Sequence, residues 1–117
     1  MDEERLKRLI ARFAAAAEAH GAALEAMDEE RASRHAHIIY RLYQEIAGAG
    51  EQGREELILL AERAEGDAAG MAAVYSLRYR EGRSIAVLRC LAATSGLLAF
   101  RASVALERWE RGEWDLE

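Results

Sequence analysis

The sequence predicts an all-α domain, and three observations lead to that prediction. The 117 residues include no proline, and their hydrophobic fraction of 51% is rich in alanine and leucine rather than in β-branched residues. Every long segment repeats its apolar residues with the 3.6-residue period of a helix, and none shows the alternation of a strand. Residues 53–82 and 83–112 also align as two copies of one 30-residue unit. A fixed period of this length is typical of stacked helical hairpins that bury their apolar faces on one another.

The 30-residue repeat rests on matches at helix ends and at the core spacing of a helix. Tyr79 aligns with Trp109, and the identical pairs are Gly66 with Gly96, Ala69 with Ala99, Ala72 with Ala102, Val74 with Val104, Arg78 with Arg108, and Gly82 with Gly112. Scaffolds of stacked hairpins usually bind other molecules and seldom carry out chemistry. The repeat therefore favours an interaction module.

The first two helices follow from their apolar stripes. The first has one stripe at alternating spacings of four and three residues: Leu6, Ile10, Phe13, Ala17, His20, Leu24 and Met27. Gly21 disfavours helix at its position by about 1 kcal/mol relative to alanine, which leaves open whether the helix bends or breaks there. Asp28 is a good N-cap for a second helix over residues 31–47. The glycines at positions 48 and 50 end that helix.

Four further helices are predicted over residues 51–64, 67–80, 84–93 and 97–111, with Glu81–Gly82 forming a turn. The fifth helix is apolar on nearly all sides, which predicts that it is the most buried. The predicted core includes Val74, Leu88, Leu91 and Leu106. Connections of two to four residues require neighbouring helices to be antiparallel. No linker interrupts the chain, so residues 1–117 are predicted to form one domain.

Two segments resemble known helical proteins. Residues 66–77, with the sequence Gly-Asp-Ala-Ala-Gly-Met-Ala-Ala-Val-Tyr-Ser-Leu, resemble the second helix of a HEAT repeat. Residues 96–114, together with Leu9, Arg12, Phe13 and the alanine-rich first helix, resemble a small family of bacterial proteins known only as a domain of unknown function. The resemblance spans nearly the whole chain and implies a short HEAT-like α–α superhelix. It departs from the HEAT pattern at Gly70 and Met71, where valine and arginine are usual.

The net charge indicates the class of partner, and the cysteine content indicates the cellular compartment. The net charge of −5 argues against nucleic acid and anionic membranes, and favours a basic protein partner. Cys90 is the single cysteine and cannot form an internal disulfide, which favours a reducing cytoplasm. No apolar run reaches the roughly 20 residues of a membrane span, and the charged start does not resemble a signal peptide.

No arrangement of residues indicates catalysis, a cofactor or a metal ion. His35 and His37 are two positions apart on a helix, so their side chains point in different directions and cannot share an ion. Cys90 lies in an apolar helix and is expected to be buried and inert. His20 is expected to be a structural residue on the first helix stripe. The sequence thus predicts a protein that is not an enzyme and has no cofactor.

Arginine and aromatic residues are the candidate contacts for a protein partner, because these types often anchor interfaces. The predicted anchors are Arg78, Arg101, Arg108 and Trp114, and the acidic residues predicted to steer a basic partner are Glu29, Glu30, Glu55 and Glu56. Tyr79 and Trp109 are expected to fill equivalent gaps between helices. Trp114 is either an interface residue or packed on the core.

The predicted function is that of a non-catalytic protein-binding module. Its sharpest form is an immunity protein that neutralises a secreted bacterial toxin, by analogy with other small bacterial helical proteins. Two alternatives stay open, namely a homo-oligomeric scaffold and a regulator that binds a small ligand.

Overall fold

The computed structural model describes residues 1–113, and within that range it contains six α-helices and no strand. The helices are α1 (Glu3–Glu25), α2 (Glu29–Gly48), α3 (Glu51–Arg63), α4 (Gly66–Ser76), α5 (Glu81–Ala92) and α6 (Leu97–Glu110). The prediction of an all-α domain with about six helices is therefore confirmed. Consecutive helices pack in pairs as α1–α2, α3–α4 and α5–α6.

Helix ends follow the local sequence signals. The carboxylates of Asp2 and Asp28 accept hydrogen bonds from the backbone N–H groups of Arg5 (3.0 Å) and Arg31 (3.1 Å), which caps α1 and α2. Gly66 and Gly96, which are equivalent in the 30-residue repeat, both adopt left-handed backbone angles, with φ of 63° and 96°. Each glycine lies where the chain turns into the second helix of its hairpin. The positive φ at this place is disfavoured for residues that have a side chain.

The first helix does not break at Gly21, because α1 runs unbroken from Glu3 to Glu25. Gly21 is buried, and a Cβ atom there would overlap the carboxylate of Asp67 at the start of α4. The glycine thus serves close approach between α1 and α4 rather than a bend. The cost of glycine in a helix is offset by this contact.

The connection between α4 and α5 also differs from the prediction. α4 ends at Ser76 rather than near residue 80, because the backbone N–H groups of Tyr79 and Arg80 both donate to the Ser76 carbonyl and close a turn. α5 begins at Glu81, so Glu81 and Gly82 form its first turn instead of a loop. The helices α3 and α5 consequently start 30 positions apart, at Glu51 and Glu81.

α4 is the central helix of the described region, since it packs against α1, α3, α5 and α6. It buries only small side chains, namely Ala68, Ala69, Gly70, Ala72, Ala73 and Ser76. Small residues on several sides allow four neighbours to approach closely. α4, rather than α5, is therefore the helix surrounded on most sides.

The prediction that α5 is the most buried helix is wrong. Only Ser84 and Leu88 of α5 are buried, while Leu91 is half-buried and Cys90 is exposed. α5 packs mainly on α4 and α6, so its remaining apolar side chains are covered in part. The prediction that the Cys90 thiol is buried is therefore wrong. Of the four predicted core residues, Leu88 is fully buried and Val74, Leu91 and Leu106 are half-buried.

Candidate binding groove

An apolar groove of about 320 Å³ lies between α4, α5 and α6. Its walls include Met71 and Val74 from α4, Leu88 from α5, and Leu98 and Val104 from α6. The helices leave this space because α6 faces the core with the small residues Ala99, Ala102 and Ala105. The groove is thus a consequence of close helix packing at the core combined with longer side chains at the surface.

Phe100 stands at this groove with 65% of its surface exposed. Leu97, one turn earlier on α6, is 38% exposed. The other large exposed apolar side chains in the described region belong to the first hairpin or precede it: Met1 lies before α1, Met27 between α1 and α2, and Ile38 on α2. An exposed aromatic ring beside an apolar groove is typical of a protein interaction surface.

A polar cluster forms one end of the groove. The Arg101 guanidinium lies 3.3 Å from the Asp67 carboxylate, and the two side chains are 28% and 31% exposed. This ion pair joins the second hairpin to the third. Arg101 is the repeat equivalent of Met71, the position where the HEAT pattern would place an arginine.

His20 on α1 lies close to this ion pair. Burial is the main reason that the pKa of His20 is below its usual value, and the positive charge of Arg101 lowers it further. The carboxylate of Asp67 opposes that shift without reversing it. The Nδ1 atom of His20 is buried and has no hydrogen-bond partner among residues 1–113. The structure thus favours a neutral imidazole beside the ion pair of Asp67 and Arg101.

Arg108 lines the groove further along α6, near the end of that helix. Its guanidinium donates a hydrogen bond of 3.4 Å to the backbone carbonyl of Glu113. Two of the four predicted anchors, Arg101 and Arg108, are therefore brought to one groove. Arg78 is exposed in the turn after α4 and does not line it, and Trp114 lies outside the described residues.

The predicted acidic residues lie away from the groove. Glu29 and Glu30 are exposed in the first turn of α2, where Glu30 pairs with Arg34 at 3.4 Å. Glu56 lies in α3, at a small depression that it shares with Lys7 of α1. These carboxylates therefore belong to other surfaces of the protein.

Glu55 is already engaged within the protein. Its carboxylate pairs with Arg83 at 2.9 Å and with Arg80 at 3.2 Å, and hydrogen bonds from these arginines hold the pKa of Glu55 below its usual value. Arg83 also pairs with Glu62 at 2.7 Å, so its guanidinium ties α5 to two points on α3. Glu55 thus contributes to packing between hairpins.

Tyr79 and Trp109 occupy equivalent places, as expected from the repeat. Each is half-buried and packs against the core. The guanidinium of Arg54 lies 4.3 Å from the centre of the Tyr79 ring, whereas the Trp109 Nε1 donates a hydrogen bond of 2.6 Å to Glu81. Both aromatic side chains therefore fold back onto the first helix of their own hairpin.

Phe100 and Asp67 line the groove but were not among the predicted site residues, and His20 was predicted to be structural. One signal for Phe100 was available, because its repeat equivalent is Gly70. A large apolar residue that aligns with a glycine indicates a position whose surroundings differ between the two copies. No comparable signal identifies Asp67 or His20, because their proximity depends on how α1 packs against α4.

No group of three or more His, Cys, Asp or Glu side chains within residues 1–113 is arranged to hold a metal ion. None of the helices described is long and apolar enough to cross a membrane. Comparison of the chain with protein-family models, with curated proteins and with solved structures finds no match. The resemblance to a HEAT-like family therefore stays a prediction.

Proposed function

We propose that this protein is a non-catalytic protein-binding module whose contact surface is the groove between α4, α5 and α6. The observation that carries the proposal is the 65% exposure of Phe100 beside an apolar groove of about 320 Å³. Removing apolar surface from water is favourable by roughly 25 cal/mol per Å². An aromatic side chain that a partner buries in this way often contributes much of the binding energy of a protein interface.

The size and lining of the groove favour a side chain of another protein over a separate small ligand. Its volume is at the lower end of the roughly 300–1,000 Å³ that is usual for small-molecule pockets. The groove is lined along much of α6, from Leu98 to Arg108, where a partner helix can lie. An apolar side chain of that helix enters the groove, while Arg101 and Arg108 contact polar groups on either side of it.

In its sharpest form, the proposal is that the partner is a secreted bacterial toxin and that this protein acts in the cytoplasm as its immunity protein. The net charge of −5 supports a basic partner. Glu29, Glu30 and Glu56 would attract such a partner, while Glu55 contributes less because two arginines already neutralise it. This attraction should weaken as the salt concentration rises from about 50 to about 500 mM.

Capture of a partner from the native host, followed by mass spectrometry, tests the proposal. Wild-type protein and Ile38→Ala, a matched control that removes an exposed apolar side chain from α2, should retain the same partner. Phe100→Ala should bind that partner at least about tenfold more weakly, a change of about 1.4 kcal/mol. Equal affinity of Phe100→Ala and wild type in calorimetry would reject the groove as the contact surface. Arg78 and Trp114 remain proposed contacts beyond the groove.

A further inference from the structure

The two repeat units differ in what covers the second helix of each. A Cβ atom at Gly70 in α4 would lie 3.2 Å from Leu98 and 3.5 Å from Leu91, so the third hairpin covers this position. The equivalent position in α6 is Phe100, which is 65% exposed. The surface that joins one hairpin to the next is thus present on α6 but uncovered within the described region. Terminal repeats of a helical stack normally present a polar outer face, whereas the first half of the outward face of α6 carries the apolar residues Leu97, Phe100 and Val104.

We propose that a second copy of this chain covers this surface through antiparallel packing of α6 against α6. The two-fold axis passes between Phe100 and Val104, so that Phe100 of each copy lies opposite Val104 of the other. The proposal rests on the proposed function only in treating the groove as a protein interface, and it assigns a second copy of this chain, rather than a toxin, as the occupant.

The outward face of α6 has the spacing that such packing requires. Positions 97, 100, 104, 107 and 111 are separated alternately by three and four residues, which is the spacing of a helix–helix seam. Two-fold contacts also require one patch to carry both a projecting group and a matching recess. Phe100 supplies the projection, and the groove lined by Val104 and Leu88 supplies the recess.

Charge complementarity supports the same register. When Phe100 opposes Val104, Glu107 of one copy lies opposite Leu97, at the start of α6 in the other. Among the six helices described, α6 is the one whose first turn has no acidic residue, and its N-cap, Gly96, makes no side-chain hydrogen bond. A carboxylate at that place is stabilised by the partial positive charge of the helix N-terminus.

Glu107 can contact the N-terminus of α6 in the other copy without a large loss of stability in its own chain. Within one chain it pairs with Arg111 at 3.0 Å, and both side chains are about 60% exposed. Exposed pairs of this kind contribute little to stability, so the carboxylate can exchange one contact for another.

Sedimentation equilibrium and light scattering over a range of concentrations test the proposal. Wild type should change from 13.0 kDa to twice that mass between about 5 and about 500 µM. Phe100→Ser should raise the dissociation constant at least about tenfold. Glu107→Arg should also weaken the dimer, whereas Glu110→Arg should leave it unchanged, because Glu110 lies on the same helix outside the seam. Circular dichroism should show unchanged helix content, since all three side chains are exposed.

A single 13.0 kDa species at every concentration would overturn the inference. Equal weakening by Glu107→Arg and Glu110→Arg would overturn the register. A wild-type monomer that still captures a different protein through Phe100 would reject this inference and keep the proposed function. A dimer insensitive to Phe100→Ser, in a protein that captures nothing through the groove, would reject both.

Discussion

The hairpins α3–α4 and α5–α6 have related sequences but different surroundings. Ala69 and Ala72 of α4 are buried, and so are their equivalents Ala99 and Ala102 of α6. α4 nevertheless has neighbours on several sides, whereas α6 packs against α5 and α4. The comparison shows that a repeat sequence determines which face of a helix turns inward. Its place in the stack determines whether the opposite face is covered.

The joints between hairpins differ in a similar way. Gly53 approaches α2 so closely that a Cβ atom would overlap the carbonyl oxygen of Ile46. Its repeat equivalent, Arg83, instead bridges α5 to Glu55 and Glu62 of α3. One joint thus depends on backbone proximity and the other on ion pairs. Equivalent positions in the two copies have acquired different roles in assembly.

The largest expected effect is at Leu88, the apolar residue of the third hairpin that is as buried as any in the core. Leu88→Ala should lower the free energy of unfolding by about 2–5 kcal/mol, because a cavity replaces a fully enclosed side chain. Leu106→Ala, at a half-buried position of α6, should cost less than half as much. Urea denaturation monitored by circular dichroism measures both. Equal losses would contradict the difference in burial between Leu88 and Leu106.

Substitutions at the repeat-equivalent positions 70 and 100 should have the next largest effect. Gly70→Leu should destabilise the protein by about 1–3 kcal/mol, because the new side chain would collide with Leu98 and Leu91. Phe100→Ala, at the uncovered equivalent, should change stability by less than about 0.5 kcal/mol at concentrations where the protein is monomeric. Thermal unfolding of the dilute proteins compares them. Similar changes in stability at positions 70 and 100 would contradict the finding that the first is covered by the third hairpin and the second is exposed.

The start of α4 packs closely against α1, whereas Leu97 at the equivalent start of α6 is exposed. Gly21→Ala should therefore cost about 1–2 kcal/mol, since the Asp67 carboxylate has to move away from Arg101. Gly48→Ala is the matched control, because a Cβ at this helical glycine meets no atom within 4 Å. That control should be neutral or stabilising by up to about 1 kcal/mol. The denaturant midpoint should fall for Gly21→Ala and should not fall for Gly48→Ala, and equal decreases would contradict the close approach.

The smallest effect expected is the pH dependence due to His20. Its folded-state pKa is lowered, chiefly by burial, so protonation favours the unfolded chain. The stability associated with the neutral imidazole is complete above the unfolded pKa of about 6.5 and decreases as the pH falls below it. His20→Gln should therefore lose less stability than wild type between about pH 7 and pH 5. Identical pH profiles of the melting temperature would show that His20 is not buried in this way.

Some of these features could be predicted from the sequence. Apolar periodicity and glycine positions correctly indicated six helices, and the spacing around Leu88 correctly placed it in the core. Periodicity failed for α5, because an apolar residue such as Leu91 is buried only if a neighbour covers its side of the helix. The end of α4 was misplaced because the turn at Ser76 has no glycine or proline to mark it.

The candidate groove was predictable only in part. Arg101 and Arg108 were selected for their residue type and their place in the last helix, and both line the groove. The proximity of His20 and Asp67 to Arg101 could not be predicted, since it requires the packing of α1 on α4. The exposure of Phe100 depends likewise on the absence of a further covering helix within the described region, which no local pattern specifies.

The central place of α4 has a consequence for the cooperativity of folding. In a regular helical stack each hairpin contacts only its neighbours, so stability is nearly a sum of local terms and the ends can melt independently. Here one short helix, with glycine at positions 66 and 70, contacts four others and is a poor helix former by itself. It becomes helical only when its neighbours are in place, and they lose their shared contact when it unfolds. The described region should therefore unfold in a single transition, with the same midpoint in calorimetry and circular dichroism.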